Sequence, residues 1–311
     1  MNKNFTPLAC LFAMLLAACA YLPAWSQKAL PSAYFAGLAL RTDVPLGNSD
    51  IVAASLADMR AQGIAAVRVA VGDTAESCLA RLDTLLAVCD TVGLDVFLAV
   101  PDTLAMDLGP ERVHEVLSVV RRHRLKAVVL VCGDERAVRC DEPFAAKLAS
   151  TFSDHLFGIS VCNAHDGVAE AAARWSFVDF IGLRLGYREQ RWASLDRVRE
   201  AMGQVFVRLP QVLQSVMQAL ELSDKPLVID YVDYPRDRAF HTSGSSTQIR
   251  DNVVSFLRDE IAAEGRTIRG MFLGEFVGDE NSVPRQPTET VYPTDTATIR
   301  LLVQKTPESV Q

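Results

Sequence analysis

Between residues 33 and 273 the chain alternates short, continuous apolar runs with longer amphipathic ones. The short runs predict strands at Ala33–Leu40, Ala65–Val71, Asp95–Val100, Lys126–Cys132, Phe157–Cys162, Phe177–Leu185, Pro226–Tyr231 and Thr267–Leu273. Most are unbroken Val/Ile/Leu/Ala stretches rather than apolar–polar alternations, the pattern of parallel strands covered by helices. The stretches between them carry helical spacing. Ser49 stands where it can cap a helix bearing Leu56 and Met59, and Pro110 stands in the first turn before Val113, Val116, Leu117 and Val120. Asp141 and Pro143 open another helix, and Gln248–Ala263 sets Ile249, Val253, Phe256, Leu257 and Ile261 on one face.

The first five strands begin about 30 residues apart, the length of one βα unit. Eight such units predict an α/β fold: a single-domain (β/α)8 TIM barrel over 33–283, with a C-terminal tail over 284–311 in which Asp295–Gln304 can form a short final helix. An open doubly wound sheet is the competing arrangement. It normally carries a glycine-rich nucleotide loop, and neither G-x-G-x-x-G nor G-x-x-x-x-G-K-[ST] occurs. The connection from Leu185 to Lys225 is long enough for two helices broken near Pro210, with Arg188–Ser194 as a loop over the barrel mouth.

Ahead of the barrel, residues 1–18 carry one cation, Lys3, and an apolar run from Leu8 to Ala18. That run is too short to span a bilayer and has the form of a secretory signal. Leu16-Ala17-Ala18-Cys19 resembles a bacterial lipobox. The resemblance implies cleavage before Cys19, acylation of Cys19, a linker over 19–32, and a place in the cell envelope with the lipid as the sole membrane attachment. With Ala20 rather than Asp after the cysteine, it implies the outer membrane, facing the periplasm or the surface. Conventional cleavage after Ser26 is the alternative, because Ala24 and Ser26 also have the small side chains at the right spacing.

Composition narrows the chemistry. With 31 Lys+Arg against 38 Asp+Glu the net charge is −7, which argues against a nucleic-acid partner, since phosphate needs a cationic surface. Half the residues are hydrophobic, ample for a folded core. Of the seven cysteines, Cys10 and Cys19 belong to the leader region, and Cys78 and Cys89 lie three helical turns apart, beyond disulfide reach. Cys132, Cys140 and Cys162 fall near strand ends and could pair in an oxidising compartment, with buried thiols as the default. No C-x-x-C occurs and the five histidines are scattered, so neither a metal nor a cofactor is expected.

Barrel chemistry is carried on the loops that follow the carboxyl ends of the strands. Those positions hold Arg41 after the first strand, Asp134 and Glu135 after the fourth, and Arg184, Tyr187 and Trp192 after the sixth. Asp230, Tyr231, Asp233 and Tyr234 follow the seventh and Glu275 the eighth. Carboxylates and guanidinium groups hydrogen-bond sugar hydroxyls, and aromatic rings cover the C–H face of a pyranose, so a polysaccharide or oligosaccharide is the expected partner.

Four segments sharpen this. Val128-Val129-Leu130-Val131-Cys132-Gly133-Asp134-Glu135 resembles the fourth-strand motif of clan A glycoside hydrolases, an apolar strand ending Gly-Asn-Glu. Lys225-Pro226-Leu227-Val228-Ile229-Asp230-Tyr231-Val232-Asp233-Tyr234-Pro235 resembles the seventh strand of glycoside hydrolase family 17, the β-1,3-glucanase-like enzymes, which continues Ser-Glu-Thr-Gly-Trp-Pro. Gly274-Glu275-Phe276-Val277-Gly278-Asp279-Glu280 resembles that family's eighth strand, and Gly37 through Val69 its first βαβ unit. The resemblance implies Glu135 as general acid/base in a two-carboxylate mechanism on a β-glucan-like polysaccharide. Arg41, Asp134, Arg184, Tyr187, Trp192, Tyr231, Asp233, Tyr234 and Glu275 would then bind substrate.

The departures are specific. Asp134 stands where the family has Asn, and Tyr231 where it has the nucleophilic Glu. Retention requires two carboxyl groups about 5–5.5 Å apart. Asp230 is the best replacement, but successive strand side chains point to opposite faces, so it serves only if the strand bulges or shifts register by one. Two readings follow: an exported glycoside hydrolase or transglycosidase using Glu135 and Asp230, and a catalytically degenerate barrel that binds glycan or serves as an envelope scaffold.

Overall fold

The computed structural model describes residues 29–42, 47–72, 75–101, 115–116, 118–132, 142–162, 171–186, 224–233, 248–263, 268–279 and 291–304, and parts of 211–220. Eight strands run through it: β1 (Phe35–Arg41), β2 (Ile64–Ala70), β3 (Asp95–Pro101), β4 (Ala127–Val131), β5 (Leu156–Cys162), β6 (Phe180–Gly186), β7 (Leu227–Asp233) and β8 (Ile268–Leu273). Each pairs in parallel with the next, and β8 pairs with β1, so the sheet closes into a barrel in chain order. This is the (β/α)8 barrel that the apolar periodicity predicts. The named helices are α1 (Ser49–Ala61), α2 (Glu76–Val92), α3 (Glu142–Thr151), α4 (Gln248–Ala263) and α5 (Thr296–Val303).

Two separate apolar clusters fill the structure, one on each face of the sheet. The outer one packs strand residues such as Leu38, Val67, Leu98, Leu130, Ile159, Ile229 and Met271 against Leu56, Leu82, Leu85 and Leu257 of the helices. The inner one, inside the barrel, holds Phe35, Ala66, Phe97, Val129, Leu156, Phe180, Val228 and Phe272. Phe97 sits at its centre, with ring centroids 5.3 Å from Phe35, 5.0 Å from Phe272 and 6.0 Å from Phe180. The rings fit because neighbouring strands give way. A Cβ at Gly37, Gly158 or Gly270 would overlap the ring of Phe272, Phe180 or Phe35 respectively.

Local details differ from expectation at two points. Asn48, not Ser49, caps α1: its backbone is extended and its side-chain oxygen accepts the Asp50 N–H at 2.9 Å, leaving Ser49 as the first helical residue. The sixth strand begins at Phe180 rather than Phe177. Asp179 instead makes a corner, its carboxylate accepting the Phe157 N–H at 2.8 Å and its own N–H donating to the Phe157 carbonyl at 2.7 Å.

Residues 291–304 pack onto the barrel. Val291 bridges in parallel to Phe276 just beyond β8, and Ile299 and Leu302 of α5 are fully buried. The Tyr34 hydroxyl donates to the Leu302 carbonyl at 3.0 Å, the Arg258 guanidinium lies 4.1 Å from the Tyr34 ring centroid, and Thr298 donates to Asp251 at 2.6 Å. The start of the barrel and its last helix therefore hold each other.

Candidate functional site

The decisive local feature is a bulge in β7. On one side Gly182 and Arg184 of β6 pair with Val228 and Tyr231; on the other, Ile229 and Val232 pair with Met271 and Leu273 of β8. In both ladders three steps of β7 oppose two of its neighbour, so β7 holds one extra residue. Ile229 and Val232 face the outer core, and the extra residue lets the consecutive Asp230 and Tyr231 both meet inward-facing side chains. Asp230 faces inward by simple alternation from Val228, and the bulge is what brings Tyr231 in beside it.

Asp230 is completely buried. The Ser160 hydroxyl of β5 donates to its Oδ2 at 2.7 Å, and Nε of Arg68, from β2, lies 3.0 Å from the same oxygen. That guanidinium contact is an ion pair without an aligned hydrogen bond, and Oδ1 has no hydrogen-bond partner. Arg68 is itself only 4% exposed. Gly182 leaves the room Asp230 needs, since a Cβ there would come within 3.0 Å of the Asp230 Cβ.

Nearer the carboxyl end, two guanidinium groups lie within cation–π range of the Tyr231 ring, Arg68 at 5.3 Å and Arg184 at 5.5 Å from its centroid. Its ring fills the space a side chain at Gly274 would occupy. At the rim, Arg41 of β1 faces Glu275 across the barrel seam at 3.8 Å; the arginine side chain is 47% exposed and the glutamate 21%. The peptide between Gly274 and Glu275 is cis. Among the described residues, no group of three or more His, Cys, Asp and Glu is placed to hold a metal.

Of the residues singled out from sequence, the structure thus brings Arg41, Arg184, Asp230, Tyr231 and Glu275 to the inside or rim of one barrel end. Asp233 ends β7, and its side chain lies outside the described residues, as do Asp134, Glu135, Tyr187, Trp192, Tyr234 and Cys19. Arg68 and Ser160 belong to the same cluster and escape the sequence reading. Their signal is a cation and a hydroxyl inside otherwise apolar strands, Val67-Arg68-Val69 and Ile159-Ser160-Val161, whose flanking residues all face the outer core.

A second concavity, of about 810 Å³, opens at the opposite end beside the starts of β3, β4 and β5, lined by Asp95, His123, Lys126 and His155 among others. Its two histidines are held by neighbouring groups. The His123 ring nitrogens face Asp83 at 2.9 Å and Asp90 at 2.8 Å, and His155 Nδ1 meets the Leu125 carbonyl at 3.1 Å. Barrel enzymes place their chemistry at the carboxyl end, and conservation of the other end serves stability.

No protein-family model matches the chain, and no curated protein matches its sequence. Solved structures share its fold. An intracellular xylanase of Thermoanaerobacterium saccharolyticum, a mutant in complex with xylotetraose, is 10% identical with a TM-score of 0.53, over 89% of this chain and 99% of its own. A calcium-binding mutant of Bacteroides uniformis β-glucuronidase 2 is 13% identical with a TM-score of 0.51, over 84% of this chain and 33% of its own. The chain spans about a third of the β-glucuronidase chains it matches. At these identities the likeness is one of fold: the chain forms the barrel on which such glycosidases are built.

Proposed function

We propose that this chain is an exported, glycosidase-like barrel that binds a polysaccharide or oligosaccharide in its carboxyl-end mouth, with Asp230 anchoring Arg68 rather than attacking the sugar. The observation that carries this reading is the complete burial of Asp230 between Ser160 and Arg68. A nucleophile must come within about 3–3.5 Å of the atom it attacks. A carboxylate with no exposed surface does not. Tyr231, Arg184, Arg41 and Glu275 then supply a ring, donors and an acceptor to the ligand, with Asp134, Tyr187, Trp192, Asp233 and Tyr234 as its further contacts. The chain reaches the envelope through a lipid on Cys19.

One observation favours a second reading, hydrolysis or transglycosylation of a β-glucan-like polysaccharide with Glu135 as acid/base and Asp230 as nucleophile. Asp230 faces the inside of the barrel, as that mechanism needs, and it would have to be uncovered to reach a sugar. Calorimetric titration of the purified mature protein with a glycan panel, alongside assay for released reducing ends, separates the two. Binding is expected to saturate without release of reducing ends, and Glu135→Gln to leave binding unchanged. Release that Glu135→Gln abolishes would establish the two-carboxylate mechanism instead. A panel without a single bound glycan would defeat both readings.

A further inference from the structure

Among the described residues, the inward-facing charges at the mouth do not balance. Arg68 is paired with Asp230, and Arg41 faces Glu275. Arg184 has no carboxylate opposite it among the described residues: its Nε is buried without a hydrogen-bond partner, and its guanidinium rests 5.5 Å from the Tyr231 ring centroid. Within that set the Arg184 guanidinium is the cation left without an anion. In a partly dry site an unmatched guanidinium is costly, and a ligand anion relieves that cost.

The shape of the group narrows the anion. Guanidinium is a planar fork of donors that pairs two parallel N–H groups with the two oxygens of a carboxylate. The Arg184 guanidinium carbon lies 5.5 Å from the Tyr231 ring centroid, within cation–π range, which ties the fork to the ring. Arg184 pairs with Tyr231 in the β6–β7 ladder and is only partly buried, which places it beside the ring proposed to carry a sugar.

We infer that the mouth takes an anionic glycan, one bearing uronate carboxylates, and that Arg184 is the residue that holds a carboxylate. This rests on the glycan-binding reading given above and narrows its substrate class. Arg41 at the exposed rim adds a second cation along the path of an acidic chain.

The test pairs oligosaccharides that differ in one group. Short oligomers of glucuronan, polygalacturonan and mannuronan are titrated into the mature protein, each beside its carboxyl-reduced, neutral counterpart. At least one uronate oligomer is expected to bind about tenfold or more tighter than its reduced form, the scale of a charge-assisted bidentate pair. In Arg184→Gln that preference is expected to vanish while thermal unfolding is unchanged. If this variant does not fold, Arg184→Lys, which keeps the charge but not the planar fork, carries the comparison. Equal binding of acidic and neutral oligomers would overturn the inference and leave glycan binding standing. A uronate preference that survives removal of the guanidinium would overturn the assignment to Arg184. Absence of binding by every oligomer, acidic or neutral, would overturn this inference and the reading beneath it.

Discussion

Replacing Asp230 by alanine leaves the Arg68 guanidinium inside the barrel without its anion. Breaking a buried ion pair from one side typically costs about 3–5 kcal/mol, because the remaining charge stays desolvated. Asp230→Ala should therefore lower the urea unfolding free energy by about that amount, and Asp230→Asn, which keeps an acceptor for Ser160, by less. A loss below about 1 kcal/mol, the scale of an exposed pair, would show that the ion pair is not structural. At this scale the sequence is legible for residues that end a strand: Arg41, Arg184, Asp230, Tyr231 and Glu275 all come to one barrel end. It is silent on Arg68 and Ser160. Which face a mid-strand residue takes depends on barrel closure and stagger, and a single apolar strand looks the same from either side.

Helix α2 buries Cys78, Leu82, Leu85, Leu86 and Cys89 against the sheet. Burial, reinforced by the neighbouring Asp90 charge, pushes the Cys89 thiol up to about 12. Burial likewise raises the Tyr34 phenol under α5, against the opposing pull of Arg258. Both groups are held neutral by the fold and ionise more readily once unfolded. Their contribution to stability is therefore complete below the ordinary thiol pKa, about 8.5, and declines as pH rises through the alkaline range towards the folded values. The urea unfolding free energy should fall steadily from about pH 9 upward, with a shallower fall in Cys89→Ala. A curve flat to pH 11 would contradict this account. Element boundaries are readable from sequence to within three residues for every strand. The misses, the Asn48 cap and the Asp179 corner, arise where a polar side chain bonds the backbone, a choice that hydrophobic periodicity does not encode.

For the whole molecule, the lipobox-like segment makes a separable prediction. Cys19→Ala should leave the precursor uncleaved or release the protein from membranes, measured by fractionation and by mass spectrometry of its amino terminus. A mature chain beginning at Gln27 without modification would establish cleavage after Ser26 instead. The closed barrel itself is legible in the repeat of strand and helix. The docking of residues 291–304 is not, because its partners, Tyr34, Asp251 and Arg258, are distant in sequence. The interlocked rings of Phe35, Phe97, Phe180 and Phe272 give the molecule one further property. They seal the barrel beneath the mouth, so the cup is blind. A polymer cannot thread through it; a chain must either offer an end to the cup or lie across its rim, and whatever enters leaves by the same door.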